Sequence, residues 1–118
     1  MSKAIEPKNW ESFLTEFSNR NHKRRARFNI FRISGGTEEE MQEAALENVS
    51  FKKENTKSAV IIERIDAADN RRLIDTIEDV RGIAVQYETD GSENVLEITD
   101  KENASISLRL ESKIDGNS

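Results

Sequence analysis

The sequence lacks several of the residue types on which protein chemistry most often depends. Its 118 residues include no cysteine, one histidine and one proline. The absence of cysteine excludes disulfide bonds, thiolate nucleophiles and thiolate metal sites. The longest apolar run, Ala59–Ile62, is far shorter than the ~20 residues that span a bilayer, and the N-terminal residues lack the apolar segment of a signal peptide. We therefore expect a cytoplasmic protein with no membrane partner.

Apolar residues are scarce as well. Hydrophobic residues make up 35% of the chain, charged residues another 35%, and the net charge is −5, whereas globular domains typically contain ~45–50% apolar and ~25% charged residues. The length fits one domain, 1–118, which we expect to be ordered from about 6 to 112 with a flexible tail at 113–118. A thin core favours association, so the expected partner is a second copy, in a homodimer, or another protein. The acidic balance weighs against nucleic acid as a partner.

One amphipathic helix is predicted near the N-terminus. Trp10, Phe13, Leu14 and Phe17 recur at i, i+3, i+4 and i+7 and therefore form one apolar stripe. Pro7 suits the first helical turn, where its missing N–H costs nothing, and the polar run at 18–21 is expected to end the helix. Such a stripe needs a sheet or a second helix to cover it, so core packing is the expected role of these side chains.

After the helix the apolar period changes from 3.6 to 2, which is typical of half-buried strands. This alternation occurs in the segments 26–30, 49–51, 83–87, 96–98 and 106–110. The run Ala59–Ile62 predicts a strand buried on both faces, and a short strand is predicted around Leu73–Ile77. A three-residue loop at 101–103 would set Ile98 opposite Ile106, and the short loops favour meander connections. The predicted fold class is α+β: an N-terminal helix packed on a twisted antiparallel sheet of about six or seven strands, curled towards a partial barrel.

The segment Glu38–Asn48 fits two structures. A capping box at Thr37 precedes residues that favour a helix. However, residues 18–37 carry six Lys or Arg and no acid, whereas residues 38–47 carry five acids and no base. A hairpin closed at Gly35-Gly36 would pair these charges, for example Arg32 with Glu39, at ~0.2–1 kcal/mol per pair. We therefore predict a strand.

The N-terminal pattern resembles that of a family of small bacterial proteins of unknown function. That family opens with an I-x-P-x-x-W-x-x-F-L-x-x-F-S helix, whose positions are occupied here by Ile5, Pro7, Trp10, Phe13, Leu14, Phe17 and Ser18. The likeness continues through a Leu-x-x-Val segment at Leu46 and Val49 and a closing hairpin, while Asp75 stands where the family often has histidine. The resemblance implies antiparallel pairing of residues 38–48, and it carries no known activity, cofactor or catalytic residue.

Few residues are arranged for chemistry. His22 lies among three cations, with no acid near it in the sequence to orient it as a catalytic base, so we expect an exposed histidine. Arg24, Arg25 and Arg27 belong to a run of five bases within residues 20–27. This run either binds an anion or nucleic acid or, as we favour, pairs with the acidic segment 38–47. The acidic clusters lack the order of a calcium loop, so no catalytic residue, metal or cofactor is predicted.

Two functions from different classes remain. The favoured one is a non-enzymatic binding or adaptor module, or a homo-oligomeric accessory protein, because the core is thin, an antiparallel sheet has edges to manage and no catalytic set is present. The alternative is a carrier or enzyme for a small ligand held between helix and sheet. The candidate residues for a ligand or partner surface are Trp10, Phe17, Arg24, Arg25 and Arg27.

Overall fold

The computed structural model describes residues 2–31, 37–39, 44–66 and 68–111. The chain begins with strand β1 (Ser2–Ala4), a 3₁₀ turn (Pro7–Asn9) and helix α1 (Trp10–Arg20). The strands that follow are β2 (Arg25–Phe31), β3 (Thr37–Glu39), β4 (Ala44–Glu54), β5 (Lys57–Asp66), β6 (Arg71–Glu78), β7 (Val80–Tyr87), β8 (Glu93–Asp100) and β9 (Ser105–Leu110). No helix within the described residues is long and apolar enough to cross a membrane.

Helix α1 forms where the apolar stripe predicts it. Pro7 lies in the 3₁₀ turn that leads into the helix. Trp10, Leu14 and Phe17 are buried, and α1 packs against β4, where the Trp10 and Phe51 rings meet edge to face with centroids 5.5 Å apart. The predicted helix and its packing on a sheet are confirmed.

All the described strands belong to one antiparallel sheet. Eight of them follow the order β1-β7-β8-β9-β2-β4-β5-β6, and β3 pairs with β2 beside that path. Because β1 and β6 are not paired with each other, the described sheet is open and is not closed into a barrel. The α+β class is confirmed. The strands outnumber the predicted six or seven because β1 and β3 have three residues each and carry no alternating apolar pattern.

The sheet consists of two three-stranded meanders, β4-β5-β6 and β7-β8-β9, with β2 between them. Asp79 alone connects β6 to β7, with φ at +56°, although these strands lie near opposite ends of the strand order. The sheet must therefore curl strongly, and both halves contribute to one core with α1. Its fully enclosed sheet residues include Leu46, Val60, Ile62, Val85, Leu96, Ile98 and Leu108.

Two sheet predictions can be compared with the observed pairing. Ile98 lies opposite Ile106 in the β8–β9 hairpin, as predicted. In β5, Val60 and Ile62 are buried while Ala59 is half-buried, so only one face of this strand is buried.

Both described parts of Glu38–Asn48 are strands, the end of β3 and the start of β4, which confirms the strand prediction for those parts. The predicted charge pairing is wrong, because Glu39 lies opposite Asn29 rather than Arg32. The register also changes along β2, since Asn29 lies opposite Glu39 of β3 whereas Ala26 lies opposite Ala44 of β4. The predicted turn at residues 35–36 and the tail at 113–118 lie outside the described residues.

Helix α1 also covers an edge of the sheet. Strand β2 pairs with the start of β4 only, at Ala44 and Ala45. Farther along β4, the Ser18 hydroxyl of α1 accepts a hydrogen bond from Val49 N–H at 2.7 Å. The same hydroxyl lies 2.9 Å from Val49 O and 2.8 Å from Leu14 O, which share its proton. The serine therefore supplies the bonds that a neighbouring strand would otherwise give to Val49.

Candidate functional site

The two aromatic candidates for a ligand or partner surface lie in the core. Phe17 is 0% exposed and Trp10 is 6% exposed. Trp10 Nε1 donates a hydrogen bond to Ile5 O at 2.9 Å, so its polar atom is already bound within the chain. Both side chains hold α1 on the sheet, although Trp10 also borders an open depression of about 280 Å³ together with Pro7 and Gly82.

The space between α1 and β1 does not enclose a ligand site. A depression of about 490 Å³ lies there, bordered by Phe13 and Ile5 and by mostly exposed residues. Ligand sites usually enclose most of the bound molecule within an apolar cleft. The geometry of this depression therefore gives little support to a carrier or enzyme.

Arg24 belongs to a buried polar cluster at the C-terminal end of α1. Glu93, which is 6% exposed, accepts hydrogen bonds from Arg20 Nη2 at 2.6 Å, from Arg20 Nε at 3.1 Å and from Asn21 Nδ2 at 2.8 Å. Arg24 Nη1 donates to Asn21 Oδ1 and to Glu93 O, each at 2.7 Å. Arg24 Nε donates to Glu111 O at 2.9 Å, and Arg24 Nη2 donates to the same oxygen. This cluster ties the end of α1 to the start of β8 and to the residue after β9.

The electrostatics of this cluster differ between its two arginines. The hydrogen bond to Glu93 raises the pKa of Arg20, whereas burial lowers the pKa of Arg24. The favoured interpretation of the basic run placed its partners in the acidic segment 38–47. Among the described residues, the side chains of these two arginines bond Glu93 and Glu111 instead, although the backbone O of Arg24 accepts a hydrogen bond from Leu46 N–H of β4.

Arg25 and Arg27 lie on the outer face of β2, since Ala26 and Phe28 of the same strand are buried. The strand register sets Arg27 directly opposite Arg109 of β9, an unfavourable arrangement for like charges. Sequence reasoning missed Arg109, which lies 82 residues away in the chain (109 − 27). The basic run therefore divides into structural arginines and a small basic outer surface.

His22 is partly exposed, and its Nε2 lies 3.5 Å from Glu47 Oε1. The sequence places no acid near this histidine, so the contact is a product of strand pairing. Two backbone hydrogen bonds bring the segments together: Lys23 N–H donates to Leu46 O, and Leu46 N–H donates to Arg24 O. The pair lies at the surface and has no nucleophile beside it among the described residues.

The most accessible part of the sheet is the outer side of β6, which we call the β6 edge. Among the described residues, β6 pairs with β5 alone. Ile74 of β6 is 58% exposed, and among the described residues it is the one large apolar side chain that is exposed to solvent. An exposed strand edge of this kind can pair with another chain.

The backbone of β6 has a defined orientation at this edge. Asp79 N–H donates to Ser58 O at 2.8 Å, and hydrogen-bonded pairs alternate with non-hydrogen-bonded pairs along an antiparallel ladder. The register therefore points the backbone N–H and C=O groups of Ile77, and of every second residue before it, towards β5. The residues that direct N–H and C=O groups away from β5 are Arg72, Ile74, Thr76 and Glu78.

A cavity of about 270 Å³ adjoins the C-terminal half of the β6 edge. We call it the acidic cavity, because its described lining includes four carboxylates and no basic residue. Its apolar lining is Phe28, Ile77, Ala104 and Ile106, and its carboxylates are Asp75, Glu78, Asp100 and Glu102. Asp100 is used in the β8–β9 turn, where its Oδ1 accepts hydrogen bonds from Glu102 N–H at 2.9 Å and Ala104 N–H at 3.0 Å.

A buried arginine lies beside this cavity. The side chain of Arg64 is 1% exposed, its guanidinium lies 4.6 Å from the centroid of the Phe28 ring, and its Nη1 donates to Ala26 O at 3.0 Å. Arg64 Nη2 is 3.6 Å from Asp75 Oδ2. The arginine therefore offsets the charge of Asp75 and leaves the cavity acidic overall. Its position after Val60 and Ile62 on the same strand face was a sequence signal for a buried charge.

Comparison with known proteins does not identify this site. No protein-family model, curated protein or solved structure matches the chain. The resemblance in the N-terminal helix therefore stays a prediction. Within the described residues, no group of three or more His, Asp or Glu side chains is arranged to hold a metal ion.

Proposed function

We propose that this protein is a cytoplasmic, non-enzymatic binding module that receives an extended segment of a polypeptide along the β6 edge. The observation that carries this proposal is the eight-residue length of β6, which the described residues pair on one side only and which carries an exposed Ile74. Strand addition uses backbone hydrogen bonds for affinity and alternate side chains for specificity. The β6 edge offers both.

The acidic cavity indicates the chemistry of the segment that binds. A segment that runs along the C-terminal half of β6 passes beside Asp75 and Glu78 and across from Glu102. Complementary charges favour basic side chains in that segment, and the apolar lining favours aliphatic side chains between them. The preferred ligand is therefore an extended segment that carries both basic and aliphatic residues.

Amide hydrogen exchange, read residue by residue by NMR, tests this function with a synthetic peptide in which valine and arginine alternate. In the free protein, the outward amides of Arg72, Ile74 and Thr76 should exchange quickly, while those of Leu73 and Asp75 are protected by β5. Bound peptide should slow the first set about tenfold or more and leave the second set nearly unchanged. This alternation distinguishes strand addition from general stabilisation of the fold.

The variant Thr76→Pro removes one outward N–H without removing a bond to β5, because proline is tolerated on the outer side of an edge strand. It should abolish peptide binding, whereas the matched control Thr76→Val keeps the N–H and should bind normally. Uniform slowing of all β6 amides, or chemical-shift changes confined to another surface, would contradict the proposal.

A further inference from the structure

We propose that the segment bound at the β6 edge is β6 of a second copy of this chain, paired antiparallel about a two-fold axis at Ile74. The inference rests on the proposed function, because it requires the β6 edge to accept a strand. It adds the identity of the occupant and the register of pairing. A two-fold interface uses the same patch on both partners, so the patch must complement itself.

The charges of β6 meet this condition. Its N-terminal end carries Arg71 and Arg72, and its C-terminal half carries Asp75 and Glu78. Antiparallel pairing of two copies brings the basic end of each strand beside the acidic half of the other. A parallel arrangement would place like charges side by side, which is unfavourable.

Backbone geometry limits the registers that are available. New ladder hydrogen bonds require outward residues to face outward residues, so Ile74 can face Arg72, Ile74, Thr76 or Glu78 of the second copy, but cannot face Asp75. With Ile74 facing Thr76, Arg72 lies directly opposite Glu78, but the axis passes through Asp75 and sets two carboxylates opposite each other, and Ile74 does not face its own copy. With Ile74 facing its own copy, Arg72 lies opposite Thr76 and diagonal to Glu78 of the second copy, within reach of a long side chain. The register with Ile74 facing Ile74 is the favoured one, because it sets no two carboxylates opposite each other and lets the exposed Ile74 side chains meet.

This register also accounts for Ile74 and for the acidic cavity. The two exposed Ile74 side chains cover each other at the axis and leave water together. The basic end of the second copy runs along the half of β6 that borders the acidic cavity, where Glu78 and Glu102 lie. Arg72 already lies 2.6 Å from Glu63 of its own chain, so the dimer would place it between carboxylates of both copies.

Single cysteines test the register, because the chain contains no other cysteine. In Ile74→Cys, the two Cα atoms would lie about 5.5 Å apart, a separation that a disulfide can span. In Thr76→Cys, the two positions lie about 14 Å apart along the strands. Under mild oxidation, Ile74→Cys should form the covalent dimer at least tenfold faster than Thr76→Cys. Equal rates, or faster cross-linking of Asp75→Cys, would overturn the register.

Exchanging the charges of Arg72 and Glu78 tests whether the bound segment is a second copy of this chain. Sedimentation equilibrium of the unmodified chain should show a monomer–dimer equilibrium, and Arg72→Glu or Glu78→Arg alone should weaken the dimer about tenfold. The double variant Arg72→Glu/Glu78→Arg restores opposite charges across the axis and should recover most of the affinity. A merely structural role for these residues would give no recovery in the double variant.

The outcomes separate this inference from the proposed function. The chain could stay monomeric at high concentration but bind the valine–arginine peptide at β6. That result would overturn the inference that a second copy binds there, while the proposed strand-binding function would stand. A dimer that forms without protecting the outward amides of β6 uses another surface and also overturns the inference. A monomer that does not bind the peptide overturns both.

Discussion

The β4-β5-β6 half of the sheet has two edges, and the chain treats them in opposite ways. Beyond Leu46, the edge of β4 is covered by α1, and the Ser18 hydroxyl bonds both backbone groups of Val49. The edge of β6 is paired with nothing among the described residues and carries the exposed Ile74. One edge is therefore closed by the chain itself, and the other is open to a partner.

The two regions also differ in how deeply their ion pairs are buried. The covered side is held by Glu93, buried and bonded to Arg20 and Asn21, whereas the open side carries the exposed pair Arg72–Glu63. A buried, multiply bonded carboxylate fixes a structure, while an exposed pair contributes ~0–1 kcal/mol and can exchange partners. We infer that the covered edge serves stability and the open edge serves binding.

The largest expected effect comes from removing the buried carboxylate. Glu93→Ala takes away the acceptor of Arg20 and Asn21 at the end of α1, and should lower the free energy of unfolding by about 3 kcal/mol. Urea denaturation followed by circular dichroism measures this change.

The matched control for that measurement is Glu16→Ala. Glu16 pairs with the same Arg20, at 3.7 Å, but its side chain is 70% exposed. Its removal should change the free energy of unfolding by about 0.5 kcal/mol or less. If the two variants lost equal stability, the buried cluster would not be what holds the end of α1.

The next effect concerns the hydroxyl that covers the β4 edge. Ser18→Ala leaves Val49 N–H buried without its partner and should cost about 2 kcal/mol in the same denaturation measurement. Thr15→Ala is the matched control, because Thr15 Oγ1 also bonds a carbonyl four residues back, Glu11 O at 3.0 Å, but on the exposed side of α1. A loss in Ser18→Ala no larger than in the control would show that α1 does not complete the β4 edge.

Some parts of the fold could be predicted from the sequence, and others could not. Local periodicity placed α1 through Trp10, Leu14 and Phe17, and alternation placed the β8–β9 hairpin with Ile98 opposite Ile106. The insertion of β2 between the two meanders was not predictable, because strand order depends on contacts between distant segments. The short β1 was missed since three residues are too few to display a period, and β3 was predicted only as part of one longer strand, Glu38–Asn48.

The candidate site was less predictable than the fold. The basic run was visible in the sequence, but the partners of Arg24 are a backbone oxygen of Glu93 and another of Glu111, which no charge pattern reveals. Trp10 and Phe17 were alternatives between core and ligand wall, and burial places them in the core. For the β6 edge, the sequence signal was Ile74, an aliphatic residue on the polar face of its strand. Its exposure became clear only from the strand order, which places β6 at the end of the described sheet.

The smallest effect on stability is expected at the open edge. Ile74→Lys changes a side chain that is already 58% exposed, so the free energy of unfolding of the monomer should change by about 0.5 kcal/mol or less. Dimerisation and peptide binding should nevertheless be lost, because edge lysines oppose strand addition and two lysines would meet on the proposed axis. Denaturation of dilute protein and sedimentation of concentrated protein measure the two effects separately. A variant that loses stability and association together would show that β6 belongs to the folded core of the monomer, and the distinction between a covered and an open edge would fail.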